Sequence, residues 1–353
     1  MIAAEQLQRW MAPLWQAEIV CDESVLMVAD GAGRPEAGLL YEPAQILSVK
    51  DSALRTTYRE GTDWEFAGGK LRLLPGTTAA HVTRDQLYRS EPGDFTQPRA
   101  DGDGYLFFSE GHFFHERQLF VTYKRGADGW NGPVPQIQES RLPESIGKLR
   151  AGRTLSVVLY GDSIAEGYNA SGFASGMHPV PPYMPSWGEL AAETLRWKYG
   201  APVQFRNHAL AGQDTEWGVN NVRRLVSECR PDLVILAFGM NDGTRRMPPD
   251  AFQANIRAMM EDVRGMNPQA EFILVSPMLP NPESTFVGRQ REYREALLAL
   301  TGAGAAMADM TSVHEQLLLR KRYQDLTGNN INHPNDFLIR WYAQQVAGLL
   351  VSL

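Results

Sequence analysis

Four residues spread along the chain are of the types that attack on an ester requires. Ser163 lies just past the apolar, β-branched run 154–160, and His333 precedes a proline near the end of the chain. A serine hydroxyl attacks a carbonyl carbon when a neighbouring histidine takes its proton. Gly212 offers a backbone N–H and Asn241 a side-chain amide, and with the Ser163 N–H they would make three donors for the developing oxyanion. The sequence therefore predicts a serine-dependent hydrolase site.

These residues are expected to meet at one edge of a parallel sheet. Alternating strands and amphipathic helices predict a parallel sheet with helices on both faces. Ser163, Gly212 and Asn241 follow the first three predicted strands, and open α/β sheets bind their ligands at this carboxyl edge. His333 precedes the last predicted helix, from which it could reach the same edge. The five strand candidates are 154–160, 203–207, 232–238, 271–276 and 304–308.

The first part of the chain has a different pattern. From about residue 20 to 125, short apolar runs are separated by Gly, Pro, Asp and Asn, and Gly68-Gly69 is a two-residue hairpin signal. This pattern predicts an all-β sandwich or jelly roll, preceded by a helix or arm within residues 1–18. Glycines and prolines concentrate in 126–150, where we place a linker. The predicted domains are 1–145 and 150–353.

The four motifs resemble, in kind and order, those of the SGNH (GDSL-type) hydrolase superfamily. They are the serine of Gly-Asp-Ser at 163, the glycine at 212, the asparagine of Gly-x-Asn-Asp at 241, and the histidine before proline at 333. This resemblance covers residues 150–353. It implies a flavodoxin-like three-layer sandwich and hydrolysis of esters or thioesters through an acyl-enzyme, with no metal or organic cofactor.

The residue expected to complete the catalytic triad with Ser163 and His333, by orienting the histidine, departs from the family pattern. The family usually places an aspartate three residues before the catalytic histidine, and here that position is Asn330. An amide oxygen can accept from the His333 Nδ1–H and fix the tautomer, although it stabilises imidazolium less than a carboxylate does. We therefore expect Asn330 or a nearby backbone carbonyl to be the third member, ahead of Asp325 and Asp336.

The substrate is predicted from weaker signals. The N-terminal half resembles, in architecture alone, the β-sandwich that precedes the catalytic domain in some carbohydrate acetyl-esterases. The long segment 166–187 places Tyr168, His178 and Trp187 where they are expected to line the mouth of the site. Aromatic faces stack on sugar rings and also fit apolar acyl chains. We therefore expect a short-chain acyl ester, most simply an acetyl ester, on a small molecule or oligosaccharide.

Other histidines are expected to have structural roles. His208 lies close to Gly212 and is the reserve candidate for the base. His112, His115 and Glu116 are of metal-ligating types, but two histidines three residues apart in a strand-rich region seldom converge, so no metal is predicted.

Composition excludes several classes of function. The 353-residue chain is 43% hydrophobic and has a formal net charge of −7, which argues against nucleic acid or an anionic membrane as the main partner. Only two cysteines occur, far apart, so no disulfide framework is expected. No secretory leader pattern opens the sequence, and we expect a cytoplasmic protein. The oligomeric state cannot be deduced from this composition.

Two other functions remain open at this stage. An acyltransferase would use the same acyl-enzyme and pass the acyl group to an alcohol. A carbohydrate-binding protein without activity is the second alternative, and Asn330 would then mark the loss of the triad.

Overall fold

The computed structural model describes residues 2–31, 33–173 and 178–353. Its C-terminal part contains five parallel strands: β13 (Leu155–Gly161), β14 (Val203–Asn207), β15 (Leu233–Ala237), β16 (Glu271–Val275) and β17 (Ala305–Ala308). Their spatial order is β14-β13-β15-β16-β17, the flavodoxin-like order of doubly wound sheets. All five predicted strands and their parallel pairing are therefore confirmed.

Alternate residues of the sheet belong to two apolar clusters, one on each face. Val157 and Ile235 pack in a cluster with the helix that begins at Trp187 and with the last helix of the chain. Val158 and Val234 belong to the other cluster, with the helices of residues 215–266. Because successive strand residues point to opposite faces, this division shows helices on both sides of the sheet. The three-layer α/β architecture is confirmed.

Helices precede, connect and follow these strands. They are α4 (Pro143–Arg150), α5 (Ser163–Glu166), α6 (Trp187–Tyr199), α7 (Thr215–Leu225), α8 (Met240–Thr244), α9 (Pro249–Met266), α10 (Tyr293–Leu298), α11 (Met310–Leu318) and α12 (Asp336–Ala347). Short 3₁₀ helices occur at Ser227–Cys229, Gln290–Glu292 and Tyr323–Asp325. No helix of the described residues is long and apolar enough to cross a membrane.

The N-terminal region is rich in β structure, as predicted. Its strands are β1 (Ile19–Leu26), β2 (Val28–Ala29), β3 (Glu36–Ala37), β4 (Pro43–Lys50), β5 (Thr57–Tyr58), β6 (Trp64–Ala67), β7 (Lys70–Leu73), β8 (Val82–Thr83), β9 (Tyr88–Arg89), β10 (Thr96–Pro98), β11 (Tyr105–Phe107) and β12 (Gln118–Arg125). They form three sheets, with orders β1-β12-β4-β5, β6-β7-β3-β2-β8 and β10-β11-β9. Gly68 and Gly69 both have positive φ and join β6 to β7 in the predicted hairpin. Three helices accompany them: α1 (Ala4–Met11), α2 (Arg84–Leu87) and α3 (Phe113–Arg117).

Apolar packing joins the two parts of the chain. One cluster contains Leu7 and Trp10 of α1 together with Trp341 of α12 and strand residues of both regions. Helix α4 occupies the end of the segment expected to be a linker and packs in the same cluster through Ile146. The proposed division into domains 1–145 and 150–353 stays a prediction, since the N-terminal region shares a core with the parallel sheet.

Candidate active site

Ser163 lies at the turn between strand β13 and helix α5. Asp162 caps this short helix, because its carboxylate accepts a hydrogen bond of 3.0 Å from the Ile164 backbone N–H. Gly161 ends the strand where a Cβ atom would lie 2.2 Å from the carbonyl oxygen of Ala237. Only glycine therefore allows the two strands to approach each other beside the nucleophile.

His333 is hydrogen-bonded to this serine. The distance between His333 Nε2 and Ser163 Oγ is 2.9 Å, although the residues are 170 positions apart in sequence. Both are largely buried, at 5% exposure for Ser163 and 4% for His333. The structure thus brings together the predicted nucleophile and the predicted base.

The other nitrogen of His333 has two oxygen neighbours. Its Nδ1 lies 2.8 Å from Oε2 of Glu110 and 2.9 Å from Oδ1 of Asn169. Glu110 comes from the N-terminal region, three residues after the end of strand β11, and its side chain is 41% exposed. Asn169 follows helix α5. The third member of the constellation is therefore a carboxylate from a distant part of the chain, supported by an amide oxygen.

Hydrogen bonds fix the orientation of the Asn169 amide. Its Nδ2 lies 3.1–3.4 Å from the backbone carbonyl oxygens of Glu110, Gly111 and Gly328, all of which only accept. Its Oδ1 must then face His333. Because Glu110 and Asn169 both present acceptors to Nδ1, this nitrogen carries the proton, and Nε2 is free to accept the Ser163 hydroxyl hydrogen.

Asn330 has a different role from the predicted one. Its Oδ1 accepts from Asn281 and Gln324, and its Nδ2 donates to the carbonyl of Phe107 at 2.9 Å. Asn330 also has a φ of +70°, which turns the chain before His333. The expected contact between Asn330 and His333 is therefore not formed. Instead, the Asn330 side chain binds the loop that precedes His333 to strand β11.

The two aspartates considered as substitutes are also engaged elsewhere. Asp325 accepts from the Leu26 N–H at 2.8 Å, and Asp336 accepts from the Ser171 N–H at 2.9 Å. Asp325 thus binds the end of strand β1, and Asp336 binds the turn that follows helix α5.

Hydrogen bonds connect the segments that carry the three predicted oxyanion donors. The Leu210 N–H donates to the Gly161 carbonyl at 3.0 Å, so the Gly212 loop lies beside the strand that carries the nucleophile. The Asn241 Nδ2 donates to the Gln213 carbonyl at 2.8 Å, which leaves its second N–H for a ligand. Within the described residues, the backbone N–H groups of Ser163 and Gly212 have no protein acceptor. Gly212 has a φ of +77°, a conformation that favours glycine.

Two carboxyl groups beside the nucleophile have raised pKa values. Burial raises the pKa of Asp162 to about 7, against the opposing effect of its hydrogen bond from Ile164. Burial also raises the pKa of Glu166, whose Oε2 accepts from the Ala211 N–H at 2.6 Å. Glu166 therefore holds the loop that carries Gly212, while Asp162 holds the helix that carries Ser163.

The residues expected to line the site differ in position. The Tyr168 ring lies 5.3 Å from the His333 ring, so it lies beside the candidate site. His178 is exposed, and its carbonyl accepts from His112 at 2.8 Å. Trp187 is fully buried, donates to the Ile164 carbonyl and stacks on Tyr342. The expectation that Trp187 lines the mouth is wrong, because it begins helix α6 and packs in the core. Residues 174–177 of the predicted mouth lie outside the described residues.

The other histidines considered from the sequence lie away from Ser163 Oγ or bind backbone carbonyls. His112 and His115 donate through Nε2 to the carbonyls of His178 and Pro181, at 2.8 Å each. The reserve candidate His208 is not the partner of Ser163, and burial lowers its pKa. No group of three or more His, Cys, Asp or Glu residues that could hold a metal occurs in residues 2–31, 33–173 and 178–353.

Sequence reasoning missed Glu110 and Asn169. Asn169 lies six residues after Ser163, so its closeness to the nucleophile was a usable signal. Glu110 is a single acidic residue in a turn, and it is 223 positions from the histidine that it contacts. Nothing local marks it, because its role depends on how the N-terminal region packs against the parallel sheet.

Several known proteins are similar to this chain. "Thioesterase 1/protease 1/lysophospholipase L1" of Escherichia coli K12 is 25% identical over 208 residues, which are 57% of this chain and 88% of that protein. The arylesterase of Vibrio mimicus is 28% identical over 108 residues, or 31% and 48% of the respective chains. The crystal structure of a two-domain esterase active on acetylated mannans is 18% identical, with a TM-score of 0.49. The structural match covers 62% of this chain and 54% of the esterase chain.

A protein-family model matches the part of the chain that contains both Ser163 and His333. The model of the GDSL-like lipase/acylhydrolase family matches residues 159–337, just over half of the chain. The match begins in strand β13, before Ser163, and ends in helix α12, after His333. The chain therefore belongs to the GDSL-like lipase/acylhydrolase family.

Proposed function

We propose that this protein is a serine esterase that removes short acyl groups, with acetylated carbohydrates as its substrate class. One observation carries the proposal. Ser163, His333 and the acceptor pair of Glu110 and Asn169 form a continuous line of hydrogen bonds of 2.8–2.9 Å. This is the arrangement that activates a serine hydroxyl.

The first half of the proposed reaction forms an acyl-enzyme. Ser163 Oγ attacks the ester carbonyl carbon while His333 Nε2 takes the hydroxyl proton. The N–H groups of Ser163 and Gly212 and the free N–H of Asn241 would stabilise the oxyanion. The carbonyl then re-forms, the alcohol leaves, and His333 gives it the proton. Glu110 stabilises the imidazolium that exists between these two proton transfers.

The second half releases the acid. His333 Nε2 takes a proton from water, the resulting hydroxide attacks the acyl carbon, and Ser163 leaves with the proton returned by His333. An acyltransferase would replace this water by another alcohol.

One cavity next to the turn that carries Ser163 is too small for an acyl chain. It is bordered by Asp162, Ile164 and Tyr342, does not include Ser163 in its lining, and has a volume of only about 10 Å³. That is about the space of one water molecule, so no acyl chain can extend into the core there.

An aromatic ring borders the catalytic histidine. The Tyr168 ring lies beside the ring of His333. This aromatic face supports a sugar as the alcohol component, since sugar rings stack on such surfaces.

The alternative of a carbohydrate-binding protein without activity loses its main argument. It relied on Asn330 as a weakened third member, whereas the acceptors at His333 Nδ1 are Glu110 and Asn169. Loss of the family aspartate therefore gives no reason to expect loss of activity.

The test compares hydrolysis of p-nitrophenyl acetate by the wild type and by Ser163→Ala. Turnover should fall about a thousandfold or more, because removing a nucleophile disables the whole unit. Ser90→Ala, which removes an exposed hydroxyl in the N-terminal region, is the matched control and should retain full activity. Equal, slow rates in the wild type and Ser163→Ala would contradict the proposal.

An added alcohol separates hydrolysis from transfer. A hydrolase should release free acetate whether or not an acceptor sugar is present. Stoichiometric acetylation of the sugar at the expense of acetate would identify an acyltransferase instead.

A further inference from the structure

The N-terminal region contains a cavity that is separate from the Ser163 site. Its volume is about 570 Å³, which lies within the roughly 300–1,000 Å³ typical of small-molecule pockets. Strand β2 and helix α2 contribute to its wall, and Gln324 borders it from the C-terminal region. Neither Ser163 nor His333 belongs to its lining.

Charged side chains of both signs line this cavity. Four of them are guanidinium groups and three are carboxylates. Three arginines already have acidic partners: Arg34 pairs with Glu65 at 2.9 Å, Arg72 with Glu36 at 3.0 Å, and Arg322 with Asp325 at 3.3 Å.

Arg84 is the remaining cation. Within the described residues it has no ion pair or side-chain hydrogen bond, and its guanidinium lies 4.5 Å from the centre of the Tyr88 ring. The Tyr88 hydroxyl is itself fixed by a 2.6 Å hydrogen bond to Glu283. Arg84 is thus positioned by an immobilised ring while its donors stay unused. A guanidinium of this kind is suited to binding a carboxylate through two parallel hydrogen bonds.

Acceptors for hydroxyl groups lie in the same cavity. Asp30 is an exposed carboxylate that forms no ion pair within the described residues. Gln324 is 8% exposed, and its Nε2 donates to Asn330. No donor to Gln324 Oε1 occurs in the described part of the chain, so this buried side chain presents an acceptor to the cavity. Sugar hydroxyls would supply the donors that these acceptors lack.

We propose that this cavity binds a sugar that bears one carboxylate, such as a uronic acid. The carboxylate pairs with Arg84, and the sugar hydroxyls donate to Asp30 and Gln324. A neutral sugar would leave Arg84 without a charged partner, and inorganic phosphate lacks the ring hydroxyls that would donate to Asp30 and Gln324. This proposal is independent of ester hydrolysis at Ser163.

Saturation-transfer NMR with D-glucuronate tests this site. The wild type should bind glucuronate saturably, whereas D-glucose and inorganic phosphate should each bind at least tenfold more weakly. Arg84→Ala should weaken glucuronate binding at least tenfold, and Arg84→Lys should have an intermediate effect because it keeps the charge without the planar fork. Arg55→Ala removes an exposed arginine outside the cavity and is the matched control.

Activity measurements keep the two sites distinct. Arg84→Ala should hydrolyse p-nitrophenyl acetate at the wild-type rate, and Ser163→Ala should bind glucuronate with unchanged affinity. The proposal is overturned if the wild type does not bind glucuronate, if glucose or phosphate binds equally well, or if Arg84→Ala binds it as the wild type does. Loss of glucuronate binding in Ser163→Ala would place the sugar at the hydrolytic site and also overturn it.

Discussion

At the scale of single residues, the notable feature is that two acceptors share His333 Nδ1. Glu110 supplies charge, and Asn169 supplies an oxygen whose direction is set by hydrogen bonds from its own amide to three carbonyls. Orientation of the imidazole and stabilisation of its charged form are therefore divided between two side chains. In a triad with a single carboxylate, one residue does both.

This division predicts a moderate effect of Glu110→Gln. The substitution removes the charge, and a hydrogen bond to a charged group contributes about 1.5–3 kcal/mol. We expect kcat to fall about 10- to 100-fold with KM nearly unchanged. Asn169 should still hold the tautomer, so the loss stays below the roughly 10⁴-fold known for a triad whose only carboxylate is replaced by an amide.

Steady-state kinetics with p-nitrophenyl acetate measure this effect. Glu116→Gln, an acidic residue with a 59% exposed side chain in the neighbouring helix α3, is the control and should behave as the wild type. Wild-type kcat in Glu110→Gln would mean that Asn169 alone is sufficient.

Asp162 makes stability depend on pH. Its pKa of about 7 lies above the ordinary value of 3.8, so between these values the folded state binds more protons than the unfolded state. The stability that Asp162 contributes is therefore fully present below pH 3.8 and is lost as pH rises through about 7, by at most about 1.4 kcal/mol per pH unit.

Asp162→Asn should remove this dependence while keeping an oxygen to cap helix α5. The melting temperature of the variant, relative to that of the wild type, should rise between pH 4 and pH 7 and then level off. Thermal unfolding of both proteins in the same buffers measures this difference. A difference that stays constant over the range would show that Asp162 is ionised in the folded protein.

At the scale of elements, strands were predictable and inter-region contacts were not. Apolar runs such as 154–160 mark the buried strands, and local order along the chain places Ser163, Gly212 and Asn241 at the same edge. The position of Trp187 was not predictable in this way, because an aromatic residue at a loop end can face either the mouth or the core. Glu110 depends on packing between segments far apart, for which a single sequence contains no periodic signal.

Two glycines should respond to alanine in opposite ways. Gly161→Ala would place Cβ against the Ala237 carbonyl, and forcing strands apart there should destabilise the protein by about 1–3 kcal/mol or more. Gly147 lies inside helix α4, where a Cβ would have no atom within 4 Å. Gly147→Ala should therefore stabilise by about 0.5–1 kcal/mol.

Urea unfolding of the two variants and the wild type measures both changes in the free energy of unfolding. Gly147→Ala serves as the matched control for Gly161→Ala, since both add one methyl group to a glycine of the C-terminal part. Equal shifts of the same sign would contradict the close approach at Gly161.

At the scale of the whole molecule, the N-terminal region contributes a side chain to the candidate active site. Glu110 reaches His333 from this region, and the Phe107 carbonyl accepts from Asn330 at 2.9 Å. The shared core and these polar contacts hold the two parts in one arrangement. Catalysis should therefore depend on how firmly the N-terminal region is attached to the parallel sheet.

A buried ion pair between Glu23 and Lys321 is central to this attachment. Both side chains have 0% exposure. Glu23 also accepts from the Tyr123 hydroxyl at 2.6 Å and the Leu40 N–H at 2.8 Å, while Lys321 donates to the Ser24 carbonyl at 3.1 Å. Removing one partner leaves the other charge buried without compensation.

Lys321→Met should therefore destabilise the protein by about 3–5 kcal/mol, the usual range for a buried charge that loses its partner. The double variant Glu23→Gln with Lys321→Met removes both charges and should regain a substantial part of that loss. Urea unfolding of the wild type, both single variants and the double variant measures the coupling between the two side chains. Esterase activity should be lost at a lower urea concentration in Lys321→Met than in the wild type, because Glu110 leaves His333 when the two regions separate. Strictly additive effects of the two substitutions would mean that the pair does not join the two regions.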